Sequence, residues 1–297
     1  MDFCNLENPL EILKSANVLD VLKKHWIINH ENLIDPEKFV EDFFAEIKNL
    51  DSKRELNKIY QKKLKRYRNE NLNLAKPEDM FLEIIKNDLR KAKTVLDFGC
   101  GKLTFLKNMA EKNPDIKKLI GVDLRSHPML KDIDARIEFF RSLDDIADTS
   151  VDLVIIKLVL HHLDNEEEAR IIFKELRRVL KADGKMIILE ETFPDAVYSE
   201  TEIKKYLAKF NLQLSESTID FLQLSREDRI EFLFINDWLM NLQNDYMPWT
   251  GQYRSIEEWK EMIESIGFVE EYSHFLGAIK HRKRKQGMTA ELIFRTE

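Results

Sequence analysis

The stretch that most constrains the fold is Lys93–Leu106, with the sequence KTVLDFGCGKLTFL. β-Forming residues lead to Asp97, and the chain then turns through Gly99 and Gly101. Two glycines separated by one residue allow a tight bend and let the backbone approach a ligand closely, because no Cβ intervenes. A helix beginning near Lys102 would present free N–H groups to that ligand. The stretch therefore predicts a nucleotide-type cofactor site, although a glycine turn can also bind nothing.

The positions of the glycines distinguish between cofactors. A dinucleotide fingerprint has the form G-x-G-x-x-G, and Thr104 stands here at the third glycine position. An acid, Asp97, instead precedes the first glycine. The pattern D-x-G-x-G resembles motif I of the class I S-adenosylmethionine-dependent methyltransferases. That resemblance implies that the backbone of Gly99, Cys100 and Gly101 passes under the methionine part of the cofactor, and that Asp97 holds its amino end.

A second acid makes the resemblance more specific. The segment KKLIGVDL predicts the second strand, which ends at Asp123, about 20 residues after Gly101. A carboxylate at the tip of the neighbouring strand can accept hydrogen bonds from both ribose hydroxyls. Leu124 would then flank the adenine. This pair of motifs is typical of the methyltransferase family, and a different Rossmann-like enzyme is the competing interpretation.

The end of the third predicted strand, RIEFFRS, departs from the family pattern. Many members carry a Gly-Asp there whose carboxylate reaches the adenine amine, whereas this chain has Ser142 at the Asp position. Three alternatives for holding the adenine stay open: Ser142, the backbone of Leu143, and Asp144.

The fourth predicted strand, VDLVIIK, leads into the pair His161-His162. Its nearly continuous apolar run indicates a strand buried on both faces. The resemblance places its carboxyl end, with Lys157, beside the cofactor and the transferred methyl group. Imidazole titrates near neutrality, so either histidine could act as a general base, or both could only pack around the cofactor. Two adjacent histidines do not have metal-site spacing, and no metal is expected.

A well-specified helix precedes the fifth predicted strand, KMIILEE. Asn165 is its predicted N-cap, and further along Ser255 and Glu258 have the spacing of a capping box. Glu190 ends the fifth strand at the ligand edge, where it could touch substrate or accept backbone N–H bonds as a structural acid. The predicted buried stripe of the helix is Ile171, Ile172, Leu176, Val179 and Leu180.

Outside this alternating core the chain is predicted to be mainly helical. Residues 1–76 form an N-terminal helical region, and residues 77–297 form the cofactor-binding domain. Within that domain, residues 193–252 are a helical insertion rich in aromatic side chains. An insertion after the fifth strand would lie over the ligand edge. The resemblance implies a substrate lid, and an ordinary hydrophobic cap is the alternative.

Two basic segments, 53–68 and 280–285, bear on the choice of partner. Dense positive charge favours RNA phosphates or an anionic substrate. For 53–68 the acidic balance of the whole chain favours a solvated helix face instead, and for 280–285 the alternative is a charged hairpin tip that keeps the sheet edge soluble. In the break MPWTGQYRS, Trp249, Tyr253 and Arg254 are the predicted substrate contacts, since arginine can orient an anionic group.

Composition narrows the functional class. The 297 residues carry 47 basic and 54 acidic side chains, a net charge of −7, and no apolar run long enough to span a bilayer. This balance gives no global reason to expect nucleic acid. The two cysteines, Cys4 and Cys100, have neither disulfide nor metal spacing, and the first residues do not resemble a signal peptide. We therefore expect a cytoplasmic protein.

The predicted fold is α/β, a Rossmann-like seven-stranded mixed sheet of the class I methyltransferase type, with a helical N-terminal region and a helical lid insertion. The resemblance implies that the last strand lies antiparallel between the fifth and the sixth. The predicted function is methyl transfer from S-adenosyl-L-methionine to an O, N or C atom of a small molecule, including an anionic one. The alternatives are an RNA or protein methyltransferase, and a cofactor-binding partner subunit without activity.

Overall fold

A computed structural model describes residues 9–47, 50–69, 80–123, 131, 133–196, 198–243, 250–280 and 287–296. Three predictions fall outside these residues: Leu124, Trp249 and the basic stretch 281–285. Across the described part of the chain, no helix combines the length and the apolar character needed to cross a membrane.

Helices and strands follow one another in this order: α1 (Pro9–Ser15), α2 (Leu19–Asn29), α3 (Pro36–Ile47), α4 (Lys53–Tyr67), α5 (Met80–Ile84), α6 (Lys86–Leu89), β1 (Thr94–Phe98), α7 (Thr104–Lys112), β2 (Lys118–Val122), β3 (Ile137–Phe140), β4 (Val151–Lys157), α8 (Glu166–Val179), β5 (Leu180–Glu191), α9 (Glu200–Ala208), β6 (Gln213–Leu214), α10 (Ser217–Leu222), α11 (Arg226–Met240), α12 (Ile256–Glu264), β7 (Phe268–Gly277), β8 (Ile279–Lys280) and β9 (Thr289–Thr296).

The chain divides into two compact units. The sheet unit is built from residues 78–194, 254–275 and 290–297. The helical unit is built from residues 1–77, 195–253 and 276–289. The boundary after residue 76 and the lid role of the insertion stay predictions.

The main sheet has the strand order β3-β2-β1-β4-β5-β9-β7, a mixed seven-stranded arrangement among the described residues. This confirms the predicted fold. The last strand, β9, lies between β5 and β7, as the resemblance implies. Strands β1 to β5 pair in parallel, and β1 lies between β2 and β4. The order of the strands along the sheet reverses between β1 and β4, and open α/β sheets bind ligands at that point, beyond the carboxyl ends of the strands.

The caps of two helices in the sheet unit match the sequence patterns. The Asn165 side chain accepts a hydrogen bond from the Glu168 N–H at 3.0 Å, and Ser255 and Glu258 form the predicted capping box. The buried stripe of α8 was only partly predicted. Ile171 is 52% exposed, because the buried face consists of Ala169, Ile172, Phe173, Leu176 and Val179.

Asp152, the one acid in the apolar run of β4, has a structural role at the amino end of the sheet. Its carboxylate accepts the N–H groups of Lys93 and Thr94 at 2.9 and 2.8 Å and binds Lys181 Nζ at 2.6 Å. Partial burial opposes ionisation, but the hydrogen bonds from Lys181 and the two N–H groups outweigh it and lower the pKa of Asp152.

An aromatic core holds the first helices of the helical unit together. Trp26 stacks on Phe43 with ring centroids 5.4 Å apart, and Tyr60 meets both rings edge-on. The amphipathic pattern of α3 buries Phe39, Val40, Phe43, Phe44 and Ile47 together.

The same helices pack against the insertion, more than 190 residues away in sequence. His25 Nδ1 lies 2.9 Å from Ser217 Oγ, and Trp26 Nε1 donates to Asn236 Oδ1 at 3.2 Å. The short strands β6 and β8 pair antiparallel, joining the insertion to residues that follow β7. The N-terminal helices and the insertion are separate segments of the sequence, but they share one core.

Helix α4, which carries the first basic segment, lies in the helical unit. Its apolar side is buried through Leu56, Tyr60 and Tyr67. Lys63 is also buried, with its amine 2.7 Å from Glu46. The exposed face carries Lys58, Lys62, Lys65 and Arg66.

Candidate active site

The glycine turn after β1 needs its two glycines for different reasons. Gly99 and Gly101 have φ of +75° and +52°, a left-handed region that favours glycine. A Cβ at Gly99 would overlap the side chain of Val159, approaching Cγ1 to 2.8 Å. A Cβ at Gly101 would meet no atom within 4 Å. Gly99 therefore permits close packing, whereas Gly101 leaves the space beside its Cα open to an approaching group.

Helix α7 begins later than the sequence pattern predicts. The predicted start near Lys102 is wrong, since the helix starts at Thr104 after Leu103, which has φ of +62°. Leu103 is buried, and its N–H donates to Cys100 O at 3.0 Å. An apolar side chain drawn into the core thus extends the turn by one further left-handed residue.

Asp123 is joined directly to the glycine turn. Its Oδ2 accepts the N–H of Gly101 at 2.9 Å, and its own N–H donates to Phe140 O at 3.3 Å. The N–H groups of Gly99 and Cys100 both donate to Val122 O. The turn after β1 is therefore fixed to the tip of β2, where the predicted ribose-binding carboxylate lies.

Gly121 is a residue that sequence reasoning missed. It lies in β2 opposite Asp97, and a Cβ there would come within 2.8 to 2.9 Å of Cys100 Sγ, Leu103 Cδ2 and Leu106 Cδ1. Only glycine lets the turn and helix α7 pack this closely on the strand. A glycine inside a strand pattern is the available signal, because it often marks a close approach of another segment.

Asp97 and Cys100 lie at the buried base of the turn. Asp97 is buried at the end of β1, between Gly121 of β2 and Ile155 of β4. Burial, reinforced by the carboxylates of Asp97 and Asp123, raises the pKa of the Cys100 thiol well above its usual range. The thiol therefore remains protonated, and Cys100 contributes bulk and backbone to the turn.

The short 3-10 turn Leu143–Asp145 follows β3, and the hydrogen bonds there separate the three adenine alternatives. The Ser142 hydroxyl donates to the Asp144 carboxylate at 2.9 Å and accepts the Asp144 N–H at 3.1 Å. The carbonyl of Leu143 accepts from Arg178 Nη2 at 2.8 Å and from the Ile146 N–H at 3.0 Å. The Leu143 carbonyl thus accepts two protein donors, and the Ser142 hydroxyl is paired with Asp144. The Asp144 carboxylate takes that one bond and is exposed.

Arg178, on α8, holds the Leu143–Asp145 turn through hydrogen bonds, and it was not identified from the sequence. Besides Leu143 O, its guanidinium donates to Ile146 O at 2.9 Å, to Asp148, and to Glu175 at 2.7 Å. An arginine in an L-R-R-V-L helix pattern gives no sign of such a role, because its partners come from a separate turn.

Glu190 organises the carboxyl ends of β4 and β5. Its side chain is fully buried, and one carboxylate oxygen accepts the N–H groups of Val159 and Leu160 at 3.1 and 2.7 Å. The other oxygen accepts the Glu191 N–H at 2.7 Å and pairs with His161 Nδ1. A carboxylate that accepts from this many donors is held rigidly in one orientation.

The two histidines differ in environment. His161 is buried and paired with Glu190, whereas His162 is half-buried, and their ring centroids are 4.0 Å apart. A short 3-10 turn, Leu160–His162, carries both rings. Lys157, at the end of β4, instead places its amine 4.7 Å from the ring centre of Phe105 on α7, towards the helix that follows the glycine turn.

The predicted substrate residues fall in different units. Arg254 belongs to the sheet unit, where its guanidinium lies 3.1 Å from Glu166 and 5.6 Å from the ring centre of Trp259. Tyr253 belongs to the helical unit and is buried. Their role as substrate contacts stays a prediction, as does that of Trp249.

Residues 96–188 match the family model for the methyltransferase domain. The matched segment runs from within β1 to within β5 and contains the glycine turn, Asp123 and both histidines. Residues 96–188 therefore belong to an S-adenosylmethionine-dependent methyltransferase domain.

A curated relative of the methyltransferase domain is the myricetin 3'/5'-O-methyltransferase 1 of Solanum habrochaites. It is 30% identical over 119 residues, which cover 39% of this chain and 31% of the relative. The chain therefore spans about a third of the length of the curated relative that it matches.

Among solved structures, an S-adenosylmethionine-dependent methyltransferase from Mesorhizobium loti has a TM-score of 0.47 and 16% identity, covering 73% of this chain and 98% of its own. An O-methyltransferase family protein from Burkholderia thailandensis has a TM-score of 0.46 and 16% identity, and the match covers 88% of this chain and 62% of the Burkholderia protein.

The residues of the methyltransferase domain fit the cofactor of its family. The space over Gly101, which a Cβ would occupy without contact, suits a group that approaches the backbone closely. Asp97 supplies acceptor oxygens near the end of β1, and Asp123 and Asp144 supply them after β2 and β3. Donors such as an amino group, ribose hydroxyls and an adenine amine require acceptors of this kind.

Proposed function

We propose that this protein transfers the methyl group of S-adenosylmethionine to a hydroxyl oxygen of a small molecule. The methyltransferase domain and the O-methyltransferase relative support the proposal, and the pairing of His161 with Glu190 is the observation that carries it. A hydroxyl is a weak nucleophile until it loses its proton, so a positioned base is the group that this chemistry needs.

The cofactor-binding assignment follows the strand ends. Asp97 holds the amino end of the methionine part, the backbone from Gly99 to Gly101 lies beneath it, and Asp123 accepts the ribose hydroxyls. Asp144 accepts the adenine amine, because its exposed carboxylate has acceptor sites beyond the one that bonds the Ser142 hydroxyl, whereas the Leu143 carbonyl already accepts two donors. The bound cofactor supplies an electrophilic methyl group on a sulfonium; the protein supplies alignment and a base.

His161 is the proposed base, and Glu190 positions it. The carboxylate of Glu190 accepts the Nδ1 proton, which leaves the lone pair on Nε2, the nitrogen that can take the proton of the acceptor hydroxyl. Because Glu190 also holds the Val159 and Leu160 N–H groups, ring and turn are fixed together. In this assignment Glu190 is a positioning residue, and His162 contacts the acceptor without taking its proton.

The helical insertion is proposed to select the acceptor. Trp249 near its end, and Tyr253 and Arg254 just after it, are the proposed aromatic and polar contacts. A cytoplasmic location, predicted from the cysteine pattern, is part of the proposal. The exposed lysines of α4 favour a second candidate, methylation of RNA or a protein, since such a face can track phosphates or acidic side chains.

The test compares three variants in methyl transfer to myricetin and in calorimetric binding of S-adenosylmethionine. We expect His161→Asn to lower kcat by about 100-fold or more, within the range for loss of a general base. Glu190→Gln should lower kcat by about tenfold or more, and His162→Asn by less than tenfold. Cofactor affinity should change less than threefold in all three, since none of these side chains is assigned to the cofactor.

Two results would overturn the proposal. If His161→Asn keeps full kcat with every acceptor that the wild type methylates, the base assignment fails. If the wild type binds the cofactor but transfers no methyl group to small hydroxyl compounds, RNA or protein, the chain is a non-catalytic cofactor-binding subunit. RNA binding at low salt that falls steeply with added salt would favour the second candidate.

A further inference from the structure

Leu158 adopts a backbone conformation that its residue type disfavours. It follows the last residue of β4 and has φ of +56°, in the left-handed region. A Cβ makes that region costly, and leucine has no short polar side chain to compensate locally, as asparagine or aspartate has. Strained residues of this kind persist only where their surroundings impose them, and they cluster at ligand sites.

The surroundings of Leu158 do impose the conformation. Its N–H donates to Leu189 O of β5 at 2.8 Å, and the next two N–H groups, of Val159 and Leu160, both donate to Glu190. The chain is thus tied to β5 at three successive residues. The same ties place the Leu158 side chain at the carboxyl end of the sheet, directly before the turn that carries His161.

The side chain is also unusually exposed for its type. Leu158 is 38% exposed and is one of the few large apolar side chains, among the described residues, that reach this level. Its neighbour Val159 packs against Gly99, and His161, three residues further along, pairs with Glu190, so Leu158 belongs to the short segment that touches both the glycine turn and this pair. This is the reversal point between β1 and β4, where open α/β sheets bind their ligands.

We propose that Leu158 is the apolar contact for the methyl acceptor and contributes to acceptor specificity. The inference rests on the proposed function, because it takes the acceptor to lie beside His161. Apart from Lys157, whose amine lies over the ring of Phe105 on α7, the proposed cofactor contacts lie at or after the ends of β1, β2 and β3. Leu158 instead follows β4 and directly precedes the turn that carries His161, so the acceptor is the ligand it faces. The ligand class is an apolar molecule carrying the reactive hydroxyl.

Replacement by glycine separates strain from binding. Leu158→Gly removes the Cβ that makes the conformation costly, so we expect Tm to rise or stay constant. It also removes the apolar contact, so KM for myricetin should rise about threefold to tenfold, the cost of losing part of a leucine's burial. The affinity for S-adenosylmethionine should stay within twofold of wild type.

Two variants are matched controls. Thr149 has φ of +47° and is exposed in the turn before β4, so Thr149→Gly should raise Tm or leave it constant, as Leu158→Gly does, with unchanged KM. Ile171 is an exposed apolar residue of α8, so Ile171→Ala should leave KM unchanged as well. Together they control for relief of strain and for loss of an exposed apolar side chain.

The outcomes distinguish this inference from the proposed function. If methyl transfer proceeds and Leu158→Gly leaves KM unchanged, Leu158 is not an acceptor contact, although the proposed function stands. If cofactor affinity falls instead, Leu158 contacts the cofactor and the inference is wrong. If the wild type transfers no methyl group, calorimetric binding of myricetin replaces KM; no binding, or equal binding by wild type and Leu158→Gly, overturns the inference.

Discussion

The sheet unit and the helical unit of this protein depend on sequence in different ways. In the sheet unit, the glycine turn, Asp123, the histidine pair and Glu190 all come from one continuous segment, within residues 97–190. In the helical unit, the core joins Trp26 to Asn236 and His25 to Ser217, pairs that no local pattern connects. The functional motifs of the first can therefore be located from sequence, whereas the second is recognisable only as amphipathic helices.

The two units also bury polar groups for different purposes. The sheet unit buries Asp97 and Glu190 at the carboxyl ends of strands. Backbone N–H groups and a histidine surround the carboxylate of Glu190. The helical unit buries His25 and His30 between helices, where each ring lies within hydrogen-bond distance of neighbouring side chains, Ser217 and Tyr60. The first arrangement fixes a ligand edge, and the second joins distant segments of the chain.

The largest expected effect comes from removing the central tryptophan of each unit. Trp26 and Trp259 are both almost fully buried, and Trp→Ala at such positions costs about 3–5 kcal/mol of unfolding free energy. We expect Trp26→Ala to reduce hydrogen-exchange protection in α1–α4 and α9–α11, and Trp259→Ala to reduce it in α8, α12 and the main sheet. Urea unfolding and exchange mass spectrometry measure both. If either change reduces protection in both units, the two units unfold together, and the distinction between the sheet unit and the helical unit fails.

A smaller effect separates the two glycines of the cofactor turn. Gly99→Ala should lower the unfolding free energy by about 2–4 kcal/mol, because left-handed strain adds to overlap with Val159. Gly101→Ala should lower it by only about 1–2 kcal/mol, yet weaken binding of S-adenosylmethionine about tenfold or more, since its Cβ points into open space.

The control for this pair is the double variant Gly99→Ala with Val159→Ala. It should regain part of the stability lost in Gly99→Ala, because the overlapping side chain is gone. Thermal unfolding and calorimetric titration follow the series. Equal effects of the two glycine variants on stability and on affinity would contradict the different roles assigned to them.

The smallest expected effect is at the amino end of the sheet, opposite the end that carries the glycine turn. Asp152→Asn should lower the unfolding free energy by about 1–2 kcal/mol, through weaker hydrogen bonds to the Lys93 and Thr94 N–H groups and to Lys181. Cofactor affinity should not change. A measurable loss of affinity would show that the amino end of the sheet influences the ligand edge.

The pH dependence of that effect has a definite sign. The pKa of Asp152 is lowered in the folded protein, so its contribution is complete above the pKa of an unfolded aspartate, about 3.9. It is lost as pH falls through the lower folded value. Urea unfolding at a series of pH values should therefore show the difference between wild type and Asp152→Asn shrinking in acid.

Particular residues show how far sequence reasoning reached. The capping box of Ser255 and the cap by Asn165 were predicted because each uses hydrogen bonds within one turn. The start of α7 and the burial of Ile171 were wrong, because both depend on which side chain the core accepts. Gly121 and Arg178 were missed, since their partners lie on other elements.

By itself, the sequence determined the class of fold, the place of the glycine turn and which polar residues end the strands, because each rests on short-range spacing of glycines, acids and apolar residues. Only the tertiary structure decided that Asp123 bonds the turn, that Glu190 pairs with His161, and that Leu158 stands exposed in a strained conformation. The physical reason is that these contacts join strands adjacent in the sheet but distant in the chain. Hydrogen bonding and packing across the sheet, which no local pattern records, set them.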